Sequence, residues 1–108
     1  MEEKIEQIVT WLSDKKGTNI KALDVRGFSP LTETMIFVTA RSAKHAQSLA
    51  DEIMQRLAER KWEFFGVEGM QSGQWVLVDC NDVIVLTVAF FYYRLRNQYI
   101  FCGLNLRY

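Results

Sequence analysis

The sequence predicts an α/β fold: a mixed β-sheet of about five strands with helices packed on it. Two stretches repeat apolar residues at helical spacing, and the segments around them are short, β-branched or aromatic runs of strand length. Their order, helix, strand, strand, helix, strand, strand, strand, is that of helices laid on a sheet. The chain of 108 residues reads as a single domain, 1–108. A domain of this size buries roughly two-thirds of the surface its unfolded chain exposes.

The first helix is expected from about Glu2 to Lys15. Ile5, Ile8, Val9 and Leu12 form one apolar stripe. Glu2 and Glu3 near the start and Lys15 and Lys16 at the end match the helix dipole, and Gly17 is a natural stop. Asn19 to Arg26 reads as a strand with Ile20, Leu23 and Val25 inward, ended by Gly27 and a loop holding Pro30. Met35 to Thr39 lacks alternation, which predicts an interior strand covered on both faces. Ser42 is the expected N-cap of a second helix, Ala43 to Arg60, buried through Ala46, Leu49, Ala50, Ile53 and Leu57. Trp62 to Val67, Trp75 to Asp79 and Asp82 to Ala89 complete the strands. Gln71-Ser72-Gly73 marks a turn, and Cys80-Asn81 a tight hairpin, since Asn tolerates left-handed backbone.

Thirteen basic and thirteen acidic residues cancel. The chain therefore lacks the overall positive field by which proteins neutralise phosphates, which favours a protein partner over nucleic acid. The two cysteines, Cys80 and Cys102, are too few for a disulfide framework or a structural metal set. The charged, amphipathic start does not read as a signal peptide, and no apolar run reaches the length of a membrane span. The expected location is the cytoplasm.

Enzyme signatures are weak. The glycines form neither GxGxxG nor GxxxxGK. His45, the single histidine, reads as a helix-surface residue without metal partners. Ser42, His45 and Asp51 share one helix, which is no geometry for a nucleophile triad; an N-cap serine beside a solvated face accounts for them. Asp79 and Asp82 flank a short turn. They are either a pair able to hold a divalent cation or act as acid and base, or turn formers bonded to nearby amides. Trp75 at a strand start is either core or a surface anchor. Together, Trp75, Asp79 and Asp82 suit a basic protein surface more than a reaction.

Several blocks together resemble the ribosomal silencing factor (Iojap-like) family. They are Ala22-Leu23-Asp24-Val25-Arg26-Gly27; Met35 to Thr39 followed by Arg41-Ser42-Ala43-Lys44-His45; and Gly66-Val67-Glu68-Gly69 followed by Gly73 to Asp79 and Asp82-Val83-Ile84-Val85. Their order and spacing cover about Ile5 to Val85. The resemblance implies a nucleotidyltransferase-like sheet without that fold's chemistry, since the Gly-Ser motif and Asp-x-Asp that nucleotidyl transfer requires are missing from the sequence. It implies a cofactor-free translational repressor that binds large-subunit ribosomal protein number fourteen and blocks subunit joining, with homodimers among its members. Trp75, Asp79 and Asp82 match family positions in or near that protein-binding surface, and Glu68 and Lys44 match secondary candidates.

The chain departs from the family after Val85, where Leu86 replaces a histidine. Arg96-Asn97-Gln98-Tyr99 echoes a family Arg-x-x-Tyr later than expected, and Phe101, Cys102 and Asn105 replace its leucine, glutamate and tryptophan. The segment Phe90 to Tyr108 is aromatic and basic. Two alternatives follow: a metal-dependent nucleotidyltransferase-like enzyme using Asp79 and Asp82, or an RNA-binding module using this tail for stacking and phosphate contact.

Overall fold

The computed structural model describes residues 2–30 and 32–89. The elements run α1 (Glu2–Asp14), β1 (Thr18–Asp24), β2 (Thr34–Ala40), α2 (Ala43–Arg60), β3 (Gly66–Glu68), β4 (Trp75–Asp79) and β5 (Val83–Ala89). The strands form one five-stranded sheet in the order β1-β2-β5-β4-β3. Only β2 and β5 run parallel; the other neighbours are antiparallel. This is the mixed sheet the sequence predicts. No helix among the described residues is long and apolar enough to cross a membrane.

Both helices lie on one face of the sheet. Ile8, Trp11 and Leu12 of α1 and Ala46, Leu49, Ala50, Ile53 and Leu57 of α2 pack against Ile36, Val38, Val76, Val78, Val83 and Val85. The predicted stripe of α2 is therefore the buried one, and Ser42 caps it by accepting from the His45 amide. The interior position of β2 also holds: Ile36 and Val38 face the helices, and Met35 and Thr39 on its other side are closed to solvent as well.

Each helix ends on a lysine in the left-handed region, Lys16 (φ 71) and Lys61 (φ 59). Gly17 is thus not the left-handed stop expected of it. It is needed for close approach, because a Cβ there would stand 2.6 Å from the Val38 methyl Cγ2. His45 is more than a surface residue. Its Nδ1 accepts from the Arg41 amide at 2.9 Å and its Nε2 lies 2.7 Å from the Lys15 carbonyl oxygen. A carbonyl only accepts and an amide N–H only donates, so the ring is the neutral Nε2–H tautomer, bridging the end of α1 to the start of α2.

Three further expectations change. β1 is an edge strand with an irregular register between Thr18 and Lys21, so Leu23 stays 46% exposed instead of entering the core. Val25 is buried, but beyond the strand. The stretch from Trp62 to Phe65 is not strand. Trp62 turns back to Trp11, ring centroids 5.9 Å apart, with the Arg60 guanidinium over both rings. Finally, the hairpin closes through a hydrogen bond from the Cys80 amide to the Val83 carbonyl, which makes Asn81 (φ 77) and Asp82 the loop residues and starts β5 at Val83. The aromatic and basic segment Phe90 to Tyr108 lies outside the described residues.

Candidate functional site

Strict alternation along β4 divides its side chains. Val76 and Val78 enter the core under the helices, so Trp75, Leu77 and Asp79 point to the opposite face, each half-buried. The antiparallel register sets Glu68 of β3 directly across from Leu77, on that same face, and Gly66 across from Asp79. On the other side Val88, Leu86 and Ile84 pair with Trp75, Leu77 and Asp79. Leu86 and Val88 are closed to solvent, so the accessible strip is Trp75 and Leu77 with the carboxylates of Glu68 and Asp79 beside it, a span of roughly 13 Å from Trp75 to Asp79 at strand rise.

Trp75 is held from the side by the β3–β4 loop. A Cβ on Gly69 (φ 86) would collide with the Trp75 carbonyl and stand 3.0 Å from ring carbon Cε3. The loop is in turn pinned to the first turns of α2. The Gln47 side-chain amide donates to the Met70 carbonyl at 2.6 Å, and Gly73 packs against Ala43. Lys44, the next residue along α2, is exposed, on the helix that covers the face opposite Trp75.

The two aspartates have separate partners. Asp79 Oδ1 accepts from the Asn81 amide at 3.0 Å, the turn-forming bond anticipated for it. Asp82 Oδ1 is 2.9 Å from Lys4 Nζ, which also donates to the Cys80 carbonyl. The Asp82 carbonyl accepts the amides of Glu33 and Thr34. Asp82 is therefore a knot joining α1, β2 and the hairpin, a role whose decisive partner lies 78 residues away in sequence. Among the described residues no three His, Cys, Asp or Glu side chains are grouped to hold a metal ion. Two open clefts of about 390 and 440 Å³ share Arg26 and Glu33; neither is lined by Trp75 or Asp79. Arg26 is paired there with Asp24 at 2.6 Å, and that guanidinium holds the Asp24 carboxyl below its ordinary range.

Two residues not singled out from the sequence stand next to Asp79. Phe64 and Phe65 are 44% and 62% exposed. A strand over Trp62 to Val67 would bury alternate residues, but β3 begins only at Gly66 and leaves both rings outside that alternation. The visible signal was two adjacent aromatics directly before the Gly66 strand start.

The sequence model of "Ribosomal silencing factor during starvation" matches residues 1–99. The chain belongs to this family. Ribosomal silencing factors of known sequence include one from Haemophilus influenzae, 35% identical over 81 residues, which is 75% of this chain and 79% of that protein. Another, from Chromobacterium violaceum, is 39% identical over 74 residues, 68% of this chain and 61% of that protein. A crystal structure of a Chromobacterium violaceum protein superposes with a TM-score of 0.80 at 32% identity, covering 91% of this chain and 84% of that one. One from Bacillus halodurans gives 0.78 at 28% identity, covering 91% and 94%. The silencing-factor match runs past Ala89, so it takes in the first part of the aromatic tail as well as the blocks around Trp75.

Proposed function

We propose that this member of the silencing-factor family represses translation by docking the outer face of β3 and β4 on a protein of the large ribosomal subunit. The partner we infer, from the family resemblance, is ribosomal protein number fourteen at the subunit interface, where an occupant keeps the small subunit from joining. The observation that carries this reading is the strip of Trp75 and Leu77 bordered by Asp79 and Glu68, set on a sheet whose backbone is fixed on both sides of β4. A half-buried tryptophan gives apolar contact without a large ordering cost, and the acids complement a basic surface. Lys44, exposed in the first turn of α2, is a secondary candidate that the family resemblance suggests. Asp82 acts through the hairpin it holds.

The mechanism is steric, so repression follows occupancy and calls for no cofactor. In this reading the relation to the nucleotidyltransferase fold is one of architecture, and the protein is a binding factor of the cytoplasm, not an enzyme. The test is sedimentation of the protein with separated ribosomal subunits through a sucrose gradient. Comigration with the large subunit, together with fewer joined ribosomes, is the expected result. Protein that remains at the top of the gradient, or that sediments with the small subunit, overturns the reading.

A further inference from the structure

Phe64 and Phe65 are held out to solvent by a backbone that is itself fixed. The Phe65 amide donates to the Asp79 carbonyl at 2.8 Å, and the Asn81 side-chain amide donates to Glu63 Oε1 at 2.7 Å. The short segment 63–65 is thereby fastened along residues 79–81 before β3 begins at Gly66. Among the described residues the large apolar side chains left exposed are Leu23, Phe28, Phe64 and Phe65, and only the last two are neighbours in sequence. Isolated exposed apolar residues are ordinary on a soluble protein, but an adjacent aromatic pair on a rigid edge is the composition of an interface anchor. β3 is also an edge strand of only three residues, so nothing in the sheet lies beyond the pair on that side.

We propose that Phe64 and Phe65 are the apolar anchor at the Asp79 end of the docking face. Their partner is a protein surface carrying an apolar pocket ringed by lysine or arginine. This rests on the docking role proposed above and extends that surface around the β3 edge. Charge argues for the occupant. Glu63 adjoins the pair, Asp79 carries its backbone anchor, and Glu68 follows along β3, while the nearby Lys4 is taken up by Asp82 and the Cys80 carbonyl, which leaves Lys61 as the neighbouring cation in sequence. A second copy of this chain would meet the same acids with its own and repel them. Trp75 and the phenylalanine pair then form two aromatic contacts at opposite ends of β4, with carboxylates between. Such an arrangement fixes the angle at which a partner lies, which a single anchor does not. Because the segment is already hydrogen-bonded in place, little ordering is needed on binding.

The experiment is affinity for purified large ribosomal subunits, measured with the full chain and with Phe64→Ser/Phe65→Ser and Trp75→Ala. Both aromatics are exposed, so melting temperature and circular dichroism of the double variant are expected to stay as in the wild type. Binding by the double variant is expected to weaken tenfold or more, in a ribosome-bound fraction that also falls with salt. Wild-type affinity in the double variant, alongside a loss in Trp75→Ala, overturns the anchor while leaving the docking role standing. If the wild type itself does not bind, the docking role fails and the anchor with it. If sedimentation equilibrium instead shows the double variant converting a dimer into monomers at unchanged ribosome affinity, the pair serves self-association and the proposal is wrong.

Discussion

Lys4 Nζ lies 2.9 Å from Asp82 Oδ1 and donates at the same distance to the Cys80 carbonyl, fastening the first turns of α1 to the β4–β5 hairpin. The two side chains are 13% and 32% exposed, so the pair falls between a surface bridge and a buried one. Removing the cation leaves a half-buried carboxylate unpaired. Lys4→Ala is expected to lower stability by about 1–2 kcal/mol in urea unfolding. Asp82→Asn should lower stability too, with affinity for the large subunit kept. A folded Asp82→Asn protein of wild-type stability that no longer binds would return Asp82 to the docking face.

Gly69 faces the Trp75 ring with a backbone that side chains rarely adopt. Gly69→Ala combines that strain, of order 1–3 kcal/mol, with a collision at the Trp75 carbonyl. The loop must move, and with it the side support of the tryptophan. Loss of about 2 kcal/mol or more is expected in chemical denaturation. An unchanged midpoint would mean that the β3–β4 loop does not bear on Trp75.

Cys80 is fully buried, and burial pushes its thiol up to about 12. At neutral pH it is expected to resist thiol reagents until the protein unfolds, which a Cys102→Ser protein treated with Ellman's reagent measures directly. The sign of the pH effect follows. A raised value means the native state keeps the proton, so this contribution is complete below the unfolded value near 9 and is lost as pH climbs towards 12. The slope over that window is about 1.4 kcal/mol per pH unit. Rapid labelling of the native protein at pH 7 contradicts the burial.

The helices were legible because their apolar spacing is local: α2 runs from Ala43 to Arg60 as its pattern demands. β4 was legible for the same reason, its alternation being contained in Trp75–Asp79. Strand order is not local. Leu23 has the sequence of a buried residue and is exposed because β1 lies at an edge. Trp62 has strand propensity and is drawn instead to Trp11 and Arg60, partners supplied by both helices. In the candidate site, residue type identified Trp75 and the aspartates. The differing duties of Asp79 and Asp82 depend on Lys4, which only the folded chain brings near. His45 likewise gains its two partners from the meeting of α1 with α2.

His45 gives a prediction of its own. His45→Ala removes the bridge between the Lys15 carbonyl and the Arg41 amide, both near enough to the surface for water to replace it in part. A loss of about 1 kcal/mol is expected, with faster amide exchange at Arg41.

Trp75 and Asp79 lie on one face of one strand, so their substitutions separate the two forces assigned to docking. Trp75→Ala removes apolar contact and should weaken large-subunit binding by about 2 kcal/mol or more, chiefly through faster dissociation. Asp79→Asn keeps the shape and the turn bond to the Asn81 amide while removing charge. It is expected to slow association and flatten the salt dependence of binding, with a smaller change in dissociation. Surface-immobilised subunits titrated at several ionic strengths resolve both rates. If Asp79→Asn leaves the salt dependence as it was, the basic partner surface is not met by Asp79, and charge complementarity has to be sought at Glu68 or Glu63.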